Sequence, residues 1–245
     1  MWAYFEKIYR GGFAAFQKEL SEKLDREEKA FVITANPETL MIGQRDSEYD
    51  AILRSADTTI VPDGIGVVKG ANMLGIPLKE RVTGVETVQG LFELLNEKKR
   101  SLYLFGAKKE VLELLKEKLA ADYPGIRLAG SCDGYAPDKD AIFDEIAAQQ
   151  PDATLVAMGI PMQEKLISKH YHRFHKGIFI GVGGSFDVLS GSKKRAPVIF
   201  CKLNLEWLYR IACEPSRFKR FYDSNVKFIF KIKAMQKDKH AQKRI

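Results

Sequence analysis

The stretch TTIVPDGIGVVKGANMLGIPLKERVTG, Thr58 to Gly84, decides how the rest of the chain is read. Thr58, Thr59, Ile60 and Val61 form a β-branched run of buried-strand type, Pro62 stops it, and a glycine-containing helix start follows. Asp63 therefore stands at the carboxyl end of a strand, which is the crevice position of open α/β folds. Gly64 and Gly66 in this reading let the backbone approach a ligand closely.

On the N-terminal side, Phe13, Phe16, Leu20 and Leu24 have helical spacing, and Ala30 to Thr34 reads as the first core strand. Asn36, Pro37 and Glu38 then supply a cap, a first-position proline and a first-turn acid. Thr34 and Asn36 thus lie at a strand-to-helix junction, and capping explains Asn36 as well as a ligand does. On the C-terminal side the pattern predicts a helix over 84–99, a strand over 102–105 running into Gly106, and a helix from about Lys108. Further strands are expected at 126–129, 153–158 and 178–182, with helices at about 138–149 and 162–174. This alternation, without hairpin signals, predicts an α/β fold: a Rossmann-like, mostly parallel sheet of about six strands with helices on both faces. It occupies residues 1–194, and residues 195–245 form a helical, basic appendage.

Several strands end in small or polar residues: Thr34 to Asn36, Pro62 to Gly64, Phe105 to Ala107, Gly159 to Gln163 and Gly181 to Gly184. Freed backbone N–H groups and helix N-termini along one edge suit a phosphate or diphosphate, with Gly106 and Gly183 among the candidates. The Gly181 loop lacks the dinucleotide fingerprint, and there is no P-loop, nucleophile elbow or HExxH. A nicotinamide-dependent oxidoreductase is therefore disfavoured. Asp138-Lys-Asp140 follows a proline and reads as a helix cap, so no DxD metal motif is expected. His170, His172 and His175 in KHYHRFHKG read as the solvated basic end of a helix with no accompanying carboxylate. Cys132, Cys201 and Cys213 are widely spaced, with no CxxC pair, and read as reduced, packed thiols.

The net charge of +7 is uneven, since residues 191–245 carry 15 Lys or Arg against 4 Asp or Glu. Such a tail meets a polyanion, either an anionic membrane or nucleic acid. Its segments around Trp207, Ser216 to Tyr222 and Asn225 to Arg244 mix bulky apolar and basic residues, as an interfacial helix on anionic lipid does. A C-terminal helix packed on the domain with a solvated lysine face is the rival reading. No apolar run reaches the roughly 18 residues of a bilayer span, and the N-terminus has no signal-peptide pattern, which places the chain in the cytoplasm. The exposed apolar tail face could be masked by self-association into a homo-oligomer.

TANPE (34–38), PDGIGVV with ERVTG (80–84), LFGA (104–107), GIPMQE (159–164), GVGGSFDVLSG (181–191), KRAP (194–197), LEWLYR and EPSRFKRF (205–221) occur in this order. Together they resemble the WecG/TagA/CpsF family, glycosyltransferase family 26, over nearly everything from residue 30 onward, while residues 1–25 lack the usual family opening. The resemblance implies an inverting hexosyltransferase that moves a sugar from a UDP-activated donor to a polyprenyl-diphosphate-linked sugar at the inner face of a bacterial plasma membrane. Members that build wall teichoic acid add N-acetylmannosamine to undecaprenyl-diphospho-GlcNAc; others use UDP-ManNAc uronic acid or UDP-glucose for common antigen, capsule or exopolysaccharide. It places the catalytic base on Asp63, and Thr34, Asn36, Arg81 and Gln163 in or beside the site. Asp187 would hold the glycine loop near the nucleotide. Tail residues Arg210, Arg217 and Arg220 would reach the diphosphates, which with the missing DxD implies metal-independent turnover without a cofactor. On this resemblance the tail meets a membrane and not nucleic acid. A peripheral membrane or nucleic-acid binding module is the alternative of another class, but it would not need polar residues gathered at so many strand ends.

Overall fold

The computed structural model describes residues 1–203, 205–215 and 217–242, with side chains other than those of Val198, Lys202, Arg210, Arg217, Arg220 and 238–242. The chain opens with helices α1 (Trp2–Lys7) and α2 (Phe13–Asp25), then β1 (Lys29–Ala35), α3 (Pro37–Gly43), α4 (Ser47–Arg54), β2 (Thr58–Pro62), α5 (Ile65–Met73) and α6 (Gly84–Glu97). There follow β3 (Ser101–Gly106), α7 (Lys109–Asp122), β4 (Arg127–Cys132), α8 (Lys139–Gln149), β5 (Ala153–Ala157), α9 (Met162–His170), β6 (Gly177–Gly181) and α10 (Ser185–Leu189). The tail holds α11 (Val198–Lys202), α12 (Glu206–Cys213), α13 (Arg217–Phe221) and α14 (Lys227–Gln242).

The strands make one parallel sheet in the order β2-β1-β6-β5-β3-β4, so the expected α/β architecture is present. Alternation along each strand feeds two cores. Phe31, Ile33, Tyr103 and Phe105 face a layer with Tyr4, Phe5, Tyr49, Phe143 and Phe228. Ala30, Val32, Leu102 and Leu104 face Phe16, Leu20, Val88, Phe92 and Phe186. The edge strand β4 is the exposed one. At the amino ends of the strands, buried Asp152 accepts from the Ser101 N–H at 2.8 Å and hydroxyl at 2.6 Å. Burial opposes its charge, yet these bonds and Lys176 at 3.0 Å hold its carboxyl below the usual range. That edge is a structural clamp, and the carboxyl edge is left for chemistry.

Three local expectations are corrected. The helix read over 162–174 stops at His170 and gives way to a 3-10 turn at Tyr171–Arg173. His172 and His175 are exposed, but His170 is buried, stacked on Phe143 at 4.7 Å, with its Nε2 2.7 Å from Asp140 Oδ1. The carboxylate absent from its own helix comes from α8. Asp138 caps α8 as expected, accepting from the Ala141 N–H at 3.0 Å. The cysteines are free, but Cys213 is exposed and Cys132 and Cys201 only half-buried.

Candidate active site

Asp63 sits one residue beyond β2, and its N–H continues the ladder by donating to the Ala35 carbonyl at 2.9 Å. Its Oδ1 accepts the Gly84 N–H at 3.1 Å, at the head of the 14-residue helix α6. The Val82 N–H donates to the Pro62 carbonyl at 2.7 Å, so Pro62–Asp63 and Val82–Gly84 close on one point. Asp63 therefore serves the start of α6; α5 has Gly64 at its N-cap and no side-chain cap. A helix N-terminus favours negative charge there. A Cβ added to Gly84 would lie 3.5 Å from Thr34 Oγ1 and 3.6 Å from Ser185 Oγ, so the ends of β1, β2 and β6 meet around this residue. Ser185 was not singled out by sequence, because a serine within SFDVLSG has no spacing that marks it.

Asn36 makes the capping box of α3: its Oδ1 accepts the Thr39 N–H at 3.0 Å and its own N–H donates to Thr39 Oγ1 at 3.2 Å. Its Nδ2 has no hydrogen-bond partner in the protein among the described residues, so capping leaves one polar end for a ligand. Gly64 and Gly66 are small for a different reason from the one expected. A Cβ at Gly66 would come within 2.9 Å of the Pro37 ring, and one at Gly64 within 3.1 Å of it. They let α5 pack against the head of α3, and the close approach is to protein.

Gln163 is buried, and both ends of its amide are hydrogen-bonded within the protein. Its Oε1 accepts the Gly159 N–H at 3.1 Å and the Gly183 N–H at 3.0 Å, and its Nε2 donates to Glu164 Oε1 at 2.6 Å. It joins the loops that follow β5 and β6. Gly183 has φ +46°, a conformation that favours glycine, and is half-buried; a Cβ there would stand 3.7 Å from Gln163 Oε1, in ordinary contact. Asp187 Oδ2 lies 3.7 Å from where a Gly184 Cβ would be, and the Asp187 carbonyl accepts from the Lys193 N–H at 2.8 Å, tying the glycine loop to the start of the tail. Gly106, with φ +119°, has no room for a Cβ because the Ala157 carbonyl oxygen would stand 2.3 Å away; it closes β3 against β5. Beyond it, at the ends of β3 and β4, an open cleft of about 270 Å³ is lined by Lys108, Lys109, Glu110, Asp133 and Tyr135.

Arg81 holds the tail to the body. Its Nη2 donates to the Cys201 carbonyl at 3.2 Å, and its Nη1 lies 3.8 Å from Glu206 Oε2. A second clamp joins Arg195 Nη2 to Glu86 Oε1 at 2.9 Å. Burial opposes the Glu86 charge, but the Thr83 hydroxyl and Arg195 together hold its carboxyl below the ordinary range. The side chains of Arg210, Arg217 and Arg220 lie outside the described residues; their backbones fall on α12 and α13. Ile199, Leu203, Leu208, Phe218, Ile229 and Phe230 are exposed, while Phe228 and Ile232 are buried against α5, where a Gly70 Cβ would meet the Phe228 ring at 3.1 Å. One face of α14 therefore packs on the domain, as the second reading of the tail has it, and Ile229 and Phe230 lie exposed on the other. Among the described residues no helix is long and apolar enough to cross a membrane.

A parallel sheet that gathers a carboxylate, two hydroxyls and a glycine loop at its carboxyl edge has the crevice of a ligand-binding α/β enzyme. The model of the "Glycosyl transferase WecG/TagA/CpsF family" matches residues 7–243, and the chain belongs to that family of glycosyltransferases. The match begins at residue 7 and so reaches into the opening 25 residues, which the sequence motifs leave out; α1, which buries Tyr4 and Phe5, precedes it except for Lys7. Among relatives, the N-acetylglucosaminyldiphosphoundecaprenol N-acetyl-beta-D-mannosaminyltransferase of Bacillus spizizenii is 43% identical over 197 residues, covering 80% of this chain and 76% of that one. The proteins of the same name from Bacillus subtilis and Staphylococcus aureus are 41% identical over 197 residues (80% and 77% covered) and 36% over 213 (86% and 83%).

Proposed function

We propose that this chain transfers N-acetylmannosamine from UDP-ManNAc to undecaprenyl-diphospho-GlcNAc, with inversion, in synthesis of a wall-teichoic-acid type polymer. The donor and acceptor are those in the name shared by relatives up to 43% identical. The observation that carries the mechanism is Asp63, a strand-end carboxylate held on the Gly84 N–H with Thr34 and Ser185 beside it. Asp63 takes the proton from the acceptor hydroxyl as that oxygen bonds to the anomeric carbon from the face opposite the diphosphate. The carbon–oxygen bond to UDP breaks in the same displacement. Arg210, Arg217 and Arg220 meet the diphosphate charge without a metal, since guanidinium pairs bidentately with phosphate. The 195–245 appendage completes the site while its exposed apolar and basic surface rests on the anionic inner leaflet of the membrane.

A donor screen tests this reading. The purified protein is given a short-chain analogue of undecaprenyl-diphospho-GlcNAc with UDP-ManNAc, UDP-GlcNAc, UDP-glucose or the ManNAc uronic acid donor. The expected result is turnover with UDP-ManNAc and a β-linked disaccharide product. Preference for another donor would overturn the sugar assignment, and an α-linked product would overturn inversion.

A further inference from the structure

Glu164 is a buried carboxyl that the proposed chemistry does not use. It is 2% exposed, its Oε1 accepts from Gln163 Nε2 at 2.6 Å, and its Oε2 is buried without a hydrogen-bond partner among the described residues. No cation forms an ion pair with it among the described residues. Burying a carboxyl so poorly satisfied is costly, and leucine or methionine would fill the same space more cheaply.

Its neighbour explains what the carboxyl does. A glutamine amide has two ends of nearly equal shape, and here the oxygen end must face two backbone donors, the N–H groups of Gly159 and Gly183. Turned about, the same amide would set its NH₂ against those two donors and leave both unsatisfied. An acceptor on the far side forbids that turn, and Glu164 Oε1 is that acceptor. The pair is pressed onto β6, where a Cβ at Gly181 would come within 2.6 Å of both Gln163 Nε2 and Glu164 Oε1. The held loop runs from Gly183 to Ser185, whose hydroxyl stands beside Gly84, the residue whose N–H binds Asp63.

We propose that Glu164 is a positioning residue for sugar transfer, one that fixes the orientation of Gln163 and through it the two loops that receive the UDP-sugar. This rests on the reading of the site given above. An acid and an amide both present a carbonyl oxygen, so Glu164→Gln preserves the function and an apolar residue removes it.

The test is steady-state kinetics on Glu164→Gln, Glu164→Leu, Gln163→Ala and the double variant Gln163→Ala/Glu164→Leu, with folding followed by circular dichroism. Each value is taken as a ratio to wild type with whichever UDP-sugar the wild type uses. Failure of UDP-ManNAc as donor would thus count against the proposed function and leave the Glu164 comparison intact. Glu164→Gln is expected within about threefold of wild type. Glu164→Leu is expected to lose about tenfold or more in kcat/KM for the donor, with the acceptor KM unchanged. In the Gln163→Ala background the same change is expected to cost less than about twofold, because the residue it acts through is gone. The proposal is overturned if Glu164→Leu turns over like wild type, if Glu164→Gln is as impaired as Glu164→Leu, or if the full loss recurs in the Gln163→Ala background. Should Glu164→Leu not fold, Glu164→Met takes its place in the cycle under the same criteria.

Discussion

Two carboxyl groups of opposite setting stand within this edge of the sheet, and each fixes a prediction. Asp63 is half-buried and holds a backbone N–H at a helix head. Asparagine there keeps an oxygen for Gly84 and loses the proton acceptor, so the effect falls on turnover, by about 10²- to 10⁴-fold, and not on folding. Glu164 is pushed up to about 7 by burial, against the ordinary 4.5. Between those values the folded chain keeps a proton that the unfolded chain has released. Stability therefore falls as pH rises through that window and stays reduced above it. Glu164→Gln removes the penalty, at most a few kcal/mol given about 1.4 kcal/mol per unit. Thermal unfolding is expected to show the variant gaining more over wild type near pH 8 than near pH 5; a larger gain at the acid end would contradict the assignment. Sequence displayed Asp63 because a proline and two glycines bracket it. It could not display Glu164, since an acid at the third position of a helix reads as an ordinary first-turn residue until Gly181 is found against it.

Among the elements, α14 best separates what pattern reveals from what packing decides. Phe228, Ile229, Phe230 and Ile232 fit both strand and helix periods, and only the docked helix shows that Phe228 and Ile232, four apart, face Phe5 and Gly70. Phe228→Ala is expected to cost about 3–5 kcal/mol, read as a lowered midpoint in denaturant. The pair Ile229→Glu and Phe230→Glu lies on the exposed face, so stability is expected to move by about 0.5 kcal/mol or less per site while flotation with anionic vesicles is lost. Unchanged flotation would assign that face to something other than lipid. Cutting the chain near Arg195 would uncover the Phe5 side of the core, so these substitutions probe the tail more cleanly than truncation. Helix α4 was missed for a related reason. Its Asp46 cap accepts the Tyr49 N–H at 3.0 Å, but an eight-residue amphipathic helix between two stronger signals leaves little pattern to read.

For the whole molecule, the alternation of buried runs and helical periods made the parallel sheet legible, because strands covered on both faces must be apolar throughout. The order β2-β1-β6-β5-β3-β4 was not legible, since it depends on which crossovers pack and not on any one segment. Nor was the docking of the tail, whose clamps Arg81–Glu206 and Arg195–Glu86 join charges far apart in the chain. On the proposed mechanism arginines answer the diphosphate charge, so turnover is expected to survive excess EDTA unchanged; loss of activity restored by manganese would contradict that. The most direct test of the account as a whole is product formation from UDP-ManNAc and the lipid-linked GlcNAc analogue by wild type and Asp63→Asn, with matched circular dichroism and melting curves. The account predicts a folded Asp63→Asn protein that binds UDP as wild type does and turns over at least about a hundredfold more slowly. A folded variant with wild-type turnover would contradict it.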